Sequence, residues 1–362
     1  MVGRIGSVPV YLRASWFLIA LAITALFAPA VERAAGRPAG QAYLIAFSFA
    51  VLLLLSVLVH ELAHAGVAAA TGTPASHIVL DLWGGHTAFG RESVQPWRSI
   101  AVSAAGPLSN LVIALIAHVA AGPPGDPTVT RLLLVATAYS NFVVAGINAL
   151  PGLPLDGGRI LEGLIWLVTG DRITGTLVAG WCGRVVALGG AAAGVVLLSR
   201  PERDIAEGVW LLLIAAMLWQ GAGRAIALAQ WQRRAARLRS DELLQKAVAV
   251  SSTATVASAL TAASQAGADA VIVLDVYGRP ASIVDQEAAS QVPLGRTREV
   301  TAAAVAQALP QGAVLPAGLN GDRLIARLQD SPSARYAVVD DQDRIVGVLD
   351  WADVARFVRA RS

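Results

Sequence analysis

The chain has 362 residues, of which 55% are hydrophobic and 15% are charged, and its mean hydropathy is +0.59. Soluble domains carry about a quarter charged residues, so this composition predicts a membrane protein with a less apolar part attached. The net charge of +3, without a basic run interleaved with aromatic residues, argues against nucleic-acid binding. The single cysteine, Cys182, excludes an intrachain disulfide and a cysteine-based zinc cluster, so a metal site would need histidine and carboxylate ligands.

Six apolar stretches are long enough to cross a membrane, at about residues 14–31, 43–70, 99–121, 131–152, 176–198 and 206–228. At about 1.5 Å per helical residue, each stretch can reach across most or all of the hydrocarbon layer. The first stretch resembles a signal peptide, but no polar cleavage region follows it, so we expect a retained span.

The arginines that flank these stretches are unevenly distributed between the two sides of the membrane. The richer side carries Arg4, Arg13, Arg91, Arg98, Arg159, Arg172, Arg224, Arg233, Arg234, Arg237 and Arg239. The poorer side carries Arg33, Arg37, Arg131, Arg200 and Arg203. The positive-inside bias therefore predicts a multi-pass protein of the cell membrane with both termini and the C-terminal region in the cytoplasm.

The second stretch contains the segment VLVHELAHAG, in which Glu61 is the only charged side chain between Tyr43 and Ala70. On a helix, residues i and i+4 share a face, so His60 and His64 can bind one metal ion, with Glu61 close enough to act as a general base. The alternative is a chance match, but an isolated carboxylate in lipid would cost several kcal/mol. We therefore expect a metal site in this helix.

A catalytic zinc has three protein ligands, so a third ligand must come from elsewhere in the chain. The segment NALPGLPLDGGRI, residues 148–160, offers Asp156 after two prolines that end the fourth stretch and before two glycines that permit a sharp turn. An aspartate before a glycine turn is also a common helix cap, so the segment alone leaves both roles open.

The segment HIVLDLWGGHTAFG, residues 77–90, has short apolar runs on either side of Gly84 and Gly85, which predicts a β-hairpin. An unpaired strand edge is not tolerated against lipid, so this hairpin must be covered, line a cavity or await a partner strand.

After Gln232 the composition becomes that of a soluble protein, and a helix–strand–turn–strand pattern of about 60 residues occurs twice. We expect a membrane domain at 1–230, a basic linker at 231–240 and a soluble tail at 241–362. The two copies within the tail are expected at about 241–298 and 299–362.

Three motifs in the membrane part together resemble the site-2 protease family of intramembrane zinc metalloproteases: HELAH at 60–64, SAAGPLSN at 103–110 and NALPGLPLDGG at 148–158. With six spans and a trailing domain, the chain is most similar to the branch of this family that includes the sporulation protease of bacilli. The resemblance implies an α-helical polytopic membrane fold with a β-hairpin near the active site, followed by a soluble α+β tail.

The resemblance also implies roles for individual residues. His60, His64 and Asp156 would bind one Zn²⁺ per chain, and Glu61 would be the base. Asn148 would orient substrate or stabilise the oxyanion. Asn141 would be a supporting contact to substrate, and Asn110 is either catalytic or a helix–helix hydrogen-bonding residue.

The same resemblance implies that the hairpin, at residues 78–89, is a platform that holds an unwound substrate segment as an added strand. Leu82, Gly84 and Gly85 would contact this segment. His86 is more readily explained as a surface histidine than as a fourth ligand. Arg184, within the fifth stretch, either snorkels to the interface or pairs with Asp156, Glu162 or substrate; we favour pairing.

The tail resembles a pair of cystathionine β-synthase (CBS) domains, most clearly in RIVGVLDWADVARF. The resemblance implies that Asp353 contacts the ribose of ATP or another adenine nucleotide. Asp350 stands where the family has Ser or Thr, and the first copy, IVDQEAAS, lacks the ribose carboxylate. At most one nucleotide site is therefore expected, and the alternative is a purely structural module that forms a homo-oligomer.

These features predict an intramembrane zinc metalloprotease that cuts a transmembrane or membrane-associated protein near the cytoplasmic face, with the CBS pair modulating it. A CBS-regulated membrane transporter or channel is the alternative, because transporters also carry intramembrane carboxylates. That alternative requires neither the His-Glu-x-x-His spacing nor the hairpin. A third possibility, an inactive binding relative, is disfavoured by the intact Glu61 and ligand set.

Overall fold

The structure is a computed structural model, and it describes residues 1–36, 38–82, 84–90, 95–125, 128–200 and 205–359. The chain divides into two units, Met1–Ala229 and Gln230–Ser362. The helices that begin in the first unit are α1 Ser15–Ala35, α2 Ala39–Ala70, α3 Pro96–Ala121, α4 Val129–Asn148, α5 Asp156–Thr169, α6 Arg172–Leu198 and α7 Ile205–Ala236. Its strands are β1 Gly3–Ile5, β2 Val8–Leu12, β3 Ala75–Asp81 and β4 Gly84–Phe89.

Six of these helices, all except α5, are long and apolar enough to cross a membrane. The expected helical membrane fold with six spans is therefore confirmed. Helix α4 ends at Asn148, and the Pro-rich segment that follows separates it from α5, a 14-residue helix that the sequence did not predict as a separate element. This segment packs on α6, where the Leu153 amide donates to the Ala179 carbonyl oxygen at 3.0 Å.

The predicted hairpin is present as β3 and β4, with Ile78 opposite Thr87, but it belongs to a larger sheet. The strand order is β1-β2-β3-β4, and β2 pairs in parallel with β3 through Val10 and Ile78. Of the alternatives left open for the hairpin, a partner strand is present on the β3 side, and the N-terminal residues supply it. In the described part of the sheet, β4 is an edge strand. Trp83 lies outside the described residues.

The sheet is held against α2 by an apolar cluster. Val10, Ile78 and Leu80 are buried there together with Ala65 of α2. Because strand side chains alternate between the two faces, this packing fixes which residues of β4 face the helix. The face of β4 that carries Gly85 and Thr87 lies against the helix turn containing Glu61.

The tail has two four-stranded sheets, with strand orders β6-β7-β8-β9 and β10-β11-β12-β5. Its strands are β5 Leu244–Gln245, β6 Ala247–Ser251, β7 Ala270–Leu274, β8 Pro280–Val284, β9 Ala306–Ala308, β10 Val314–Pro316, β11 Arg335–Val339 and β12 Ile345–Asp350. Its helices are α8 Ser240–Leu243, α9 Val256–Ala266, α10 Gln286–Ser290, α11 Gly321–Asp330 and α12 Trp351–Arg359.

The internal duplication is visible in both sheets, which each contain a parallel pair followed by an antiparallel hairpin. The copies also exchange strands: β5, from the start of the tail, pairs with β12, and β9 pairs with β8. A shared apolar cluster that includes Ile272 and Val348 joins the two sheets. The tail therefore folds as one α+β unit rather than as two halves that meet at residue 298.

Candidate metal centre

Helices α2 and α5 bring three ligand-type side chains together. The Nε2 atoms of His60 and His64 are 3.1 Å apart, and Asp156 Oδ2 lies 3.2 and 3.4 Å from them. All three ligand atoms lie within 4.8 Å of one another, and no other such group of three occurs among the described residues. Both histidines are buried. The i, i+4 spacing on α2 explains the histidine pair, and the start of α5 supplies the carboxylate.

The other ring nitrogen of each histidine is held by an oxygen. His64 Nδ1 lies 2.7 Å from the Val102 carbonyl oxygen, which can only accept, so this Nδ1 carries the proton. His60 Nδ1 is hydrogen-bonded to Asn110 Oδ1. In its neutral form each imidazole would therefore present an Nε2 lone pair toward the same point, as metal-ligating histidines do.

A hydrogen-bonded network through three helices fixes the same tautomer for His60. The Asn141 amide nitrogen donates to the Thr137 carbonyl oxygen at 2.9 Å, so the Asn141 side-chain oxygen is free to accept from Asn110 Nδ2 at 2.6 Å. The Asn110 oxygen then accepts from His60. Asn141 Nδ2 also donates to Ser56 Oγ at 3.0 Å.

The two Nε2 atoms and a carboxylate oxygen converge on one point. With the proton of each ring on Nδ1, Asp156 Oδ2 is buried and accepts no hydrogen bond from the described residues, which is costly for a carboxylate oxygen unless a cation satisfies it. Gly106 of α3 faces the same point, where a Cβ atom would lie 2.6 Å from His60 Nε2 and closer still to His64 Nε2. Two histidines and one carboxylate are a donor set of catalytic zinc sites, so the residues fit this metal.

The side chain of Glu61 lies on the strand side of the metal ligands. It is buried, and Thr87 Oγ1 of β4 donates to its Oε2 at 2.7 Å. A Cβ atom at Gly85 would lie 2.7 Å from Glu61 Cγ. The base candidate and the edge strand are therefore in direct contact.

One cavity of about 570 Å³ joins these groups. Its lining includes the metal-ligand group and Glu61, and also Gly84, Gly85, His86, Asn148, Arg159 and Arg172. Of the four residues expected to contact substrate, Gly84 and Gly85 line this cavity, and Leu82 and Asn141 do not. The Leu82 amide donates to Ser15 Oγ at 3.3 Å, so Leu82 lies in the hairpin turn against α1.

Residues 48–124 match the family model described as Peptidase family M50. Residues 48–124 of this chain are therefore similar to peptidase family M50. The matched segment includes the His-Glu-x-x-His motif and Asn110, and Asp156 lies beyond its end.

The chain is also similar to individual proteins. The chain is 32% identical over 229 residues to a candidate zinc metalloprotease of Synechocystis sp. (sll0528), which covers 63% of this chain and 60% of that relative. The chain thus spans less than two thirds of the relative's length. The solved Site-2 Protease from Methanocaldococcus jannaschii covers 62% of this chain and 94% of its own, at 21% identity and a TM-score of 0.44.

Solved CBS structures are similar to the tail. The CBS-pair protein CBSX2 from Arabidopsis thaliana covers 33% of this chain and 92% of its own, at 15% identity and a TM-score of 0.25.

Asn141 has a different position from the one expected. It is fully buried behind His60 and contacts Asn110 and Ser56 rather than the cavity. Its placement disagrees with a direct contact to substrate and agrees with a part in orienting His60. Removing a residue that orients a metal-ligating histidine typically changes metal affinity by about 10- to 100-fold. Sequence analysis missed Ser56, which accepts from Asn141 and lies one helical turn before His60 on the same face of α2. The HELAH motif does not include this position.

The expected pairing of Arg184 with Asp156 or Glu162 is not present. Its guanidinium carbon lies 4.8 Å from the centre of the Trp181 ring and 4.9 Å from that of Trp219. Glu162 instead accepts from Arg172 Nε at 2.9 Å. Two indole faces can stabilise a desolvated guanidinium without a carboxylate, by about 2 kcal/mol for a cation–π contact in the best cases.

His86 is exposed on the side of β4 away from Glu61, and it does not belong to the group of three ligands. This position agrees with the expectation of a surface histidine rather than a fourth ligand.

Proposed function

We propose that this chain is an intramembrane zinc metalloendopeptidase of the site-2 type, which cleaves a transmembrane or membrane-associated protein near the cytoplasmic face. One observation carries the proposal: a single cavity among apolar helices is lined by three metal-type ligands, by the Glu61 carboxylate and by β4, the edge strand of the described sheet. The distribution of arginines favours cytoplasmic termini and a cytoplasmic tail.

The roles follow from the chemistry of each group. His60, His64 and Asp156 would hold Zn²⁺, which would supply Lewis acidity at the site. Glu61 takes a proton from the water and returns it to the leaving nitrogen. Asn148, which lines the cavity at the end of α4, donates its amide hydrogens to the carbonyl oxygen as negative charge develops there.

The substrate is bound as an extended segment. A transmembrane helix hides its peptide bonds in internal hydrogen bonds, so it must unwind before attack. The outer edge of β4 offers backbone donors and acceptors to which such a segment can add as a further strand, beside Gly84 and Gly85.

A trapping experiment tests this function. We expect the Glu61→Gln variant, purified from the native membrane in detergent, to retain a single-span protein that the wild-type protein does not retain. Wild-type protein added to this complex should cut the trapped protein near one end of its apolar segment, and a zinc chelator should prevent the cut. Identical co-purifying proteins in both preparations, none of them cleaved by the wild-type protein, would contradict a protease.

We also propose that the tail is a CBS pair that modulates cleavage, binds one adenine nucleotide such as ATP, and supports a homo-oligomer. The two repeats differ at the position expected to contact the ribose. Asp285 caps α10 and Asp350 caps α12, so the repeats align there, and Asp353 corresponds to Ala288 of the first repeat. Asp350 therefore has a helix-capping role in place of the expected Ser or Thr.

Asp353 already has neighbours in the tail. Its carboxylate accepts from Gln245 Nε2 at 3.1 Å and lies 3.2 Å from Arg356 NH1, so a ribose would replace one of these contacts. We expect the full-length protein in detergent to bind about one ATP per chain in equilibrium dialysis, and Asp353→Ala to weaken binding at least about tenfold, as loss of a charged hydrogen bond does. Glu287→Ala, in the first repeat, is the control. No binding of ATP, ADP or AMP at millimolar concentration would leave the tail as an assembly module.

A further inference from the structure

The inner face of β4 is in contact with Glu61, whereas no strand among the described residues pairs with its outer edge. Thr87 Oγ1 lies 2.7 Å from Glu61 Oε2 and 3.2 Å from the main-chain carbonyl oxygen of the same residue. A hydroxyl has one proton, and the shorter distance, to a carboxylate, gives the stronger hydrogen bond. Among the described residues, Thr87 is the single hydrogen-bond donor to this carboxylate.

Glycine at position 85 allows this contact. A Cβ atom there would lie 2.7 Å from Glu61 Cγ, 2.9 Å from Oε1 and 3.0 Å from Val57 Cγ1. A side chain at this position would require β4 or the Glu61 side chain to shift, and either movement would disturb the bond from Thr87. The strand therefore encloses one side of the carboxylate, and the cavity lies on the remaining side.

The Thr87 bond restricts the rotation of the Glu61 side chain. An unrestrained glutamate has three rotatable bonds, and a base acts only when its oxygen lies about 3 Å from the proton that it takes. A hydrogen bond to one oxygen fixes the plane of the carboxylate and leaves the other oxygen for chemistry. The supporting residue also lies on a strand rather than in a loop, which limits its own motion.

We propose that Thr87 is a positioning residue for the catalytic base and acts through Glu61 rather than on the substrate or the metal. The inference rests on the proposed protease function, because it assigns Glu61 as the base. It also means that one short strand has two roles: its inner face orients the base, and its outer edge is the surface proposed to bind the substrate segment.

The test uses Thr87→Val, which has nearly the same shape without the hydroxyl, and Thr87→Ser, which keeps the hydroxyl. With the substrate identified by trapping, Thr87→Val should lower kcat by about 10- to 100-fold, as expected for losing a hydrogen bond to a charged group. KM and the zinc content should stay within about twofold of the wild type, since neither depends on base orientation alone. Thr87→Ser should recover most of the lost rate.

A double-mutant cycle separates positioning from general structural support. If Thr87 acts through Glu61, Thr87→Val in a Glu61→Gln background should change the residual rate by less than about twofold. Thr71→Val is the matched control, because that hydroxyl bonds to helix carbonyl oxygens. It should leave kcat unchanged.

The positioning role would be overturned by a wild-type kcat in Thr87→Val, by an equal loss in Thr87→Ser and Thr87→Val, or by full additivity with Glu61→Gln. Loss of zinc from Thr87→Val would also overturn it, since the metal site itself would then depend on Thr87. These outcomes are distinct from failure of the proposed function, in which the wild-type protein would cleave no trapped membrane protein at all.

Discussion

Alanine at His60, His64 or Asp156 is expected to remove both zinc and cleavage, whereas Glu61→Gln should remove cleavage alone. The wild-type protein should contain about one zinc per chain, as expected for a site of three protein ligands. The three ligand atoms converge within 4.8 Å, so the loss of any one leaves an incomplete site. Glu61 is held by Thr87 and does not belong to the ligand group, so glutamine there should preserve the metal. The rate should fall by about 10²- to 10⁴-fold, the usual contribution of a general base.

Metal content by mass spectrometry and cleavage of the trapped substrate, measured on the same preparations, provide the test. His118→Ala is the control, because this histidine lies in the last turn of α3 and outside the ligand group. It should keep both zinc and activity. Equal zinc loss in Glu61→Gln and His60→Ala would contradict the separation of roles between base and ligand.

The histidine pair could be predicted from the sequence because helix geometry alone brings residues i and i+4 together. The six spans could be predicted because their length and apolar composition are local properties. The proximity of Asp156 to the pair, by contrast, depends on how α5 packs and came from the family resemblance. The geometry now supplies an independent reason for it, in the buried Oδ2 without a hydrogen-bond partner.

The residues that sequence reasoning missed all depend on non-local contacts. The pairing of β2 with β3 joins segments that are more than 60 residues apart, and the short strand VPVYL has no alternation strong enough to indicate it. No sequence motif identifies Thr87, because its contact with Glu61 exists only when β4 lies against α2. For Arg184, a carboxylate partner was the natural expectation in an apolar helix, but two tryptophans from α6 and α7 provide the contact instead.

Gly106 offers a second test of the metal centre that changes no ligand. It lies in the SAAGPLSN segment of α3, where the helix faces both imidazoles. A Cβ atom at this position would lie 2.6 Å from both Nε2 and Cε1 of His60, far inside van der Waals contact. The helix cannot retreat easily, because Asn110, one turn later, is hydrogen-bonded to His60 and Asn141.

We therefore expect Gly106→Ala to lose zinc as completely as His64→Ala, although the substitution adds one methyl group and removes no ligand. Replacing glycine by alanine within a helix should otherwise stabilise the fold, by about 0.4–1 kcal/mol where there is room. Gly146→Ala in α4, where a Cβ atom would meet nothing within 4 Å, is the matched control and should retain zinc. Zinc titration of both variants measures the difference. If Gly106→Ala binds zinc as the wild type does, the histidines do not approach α3 as closely as this geometry requires, and the metal would have to lie elsewhere.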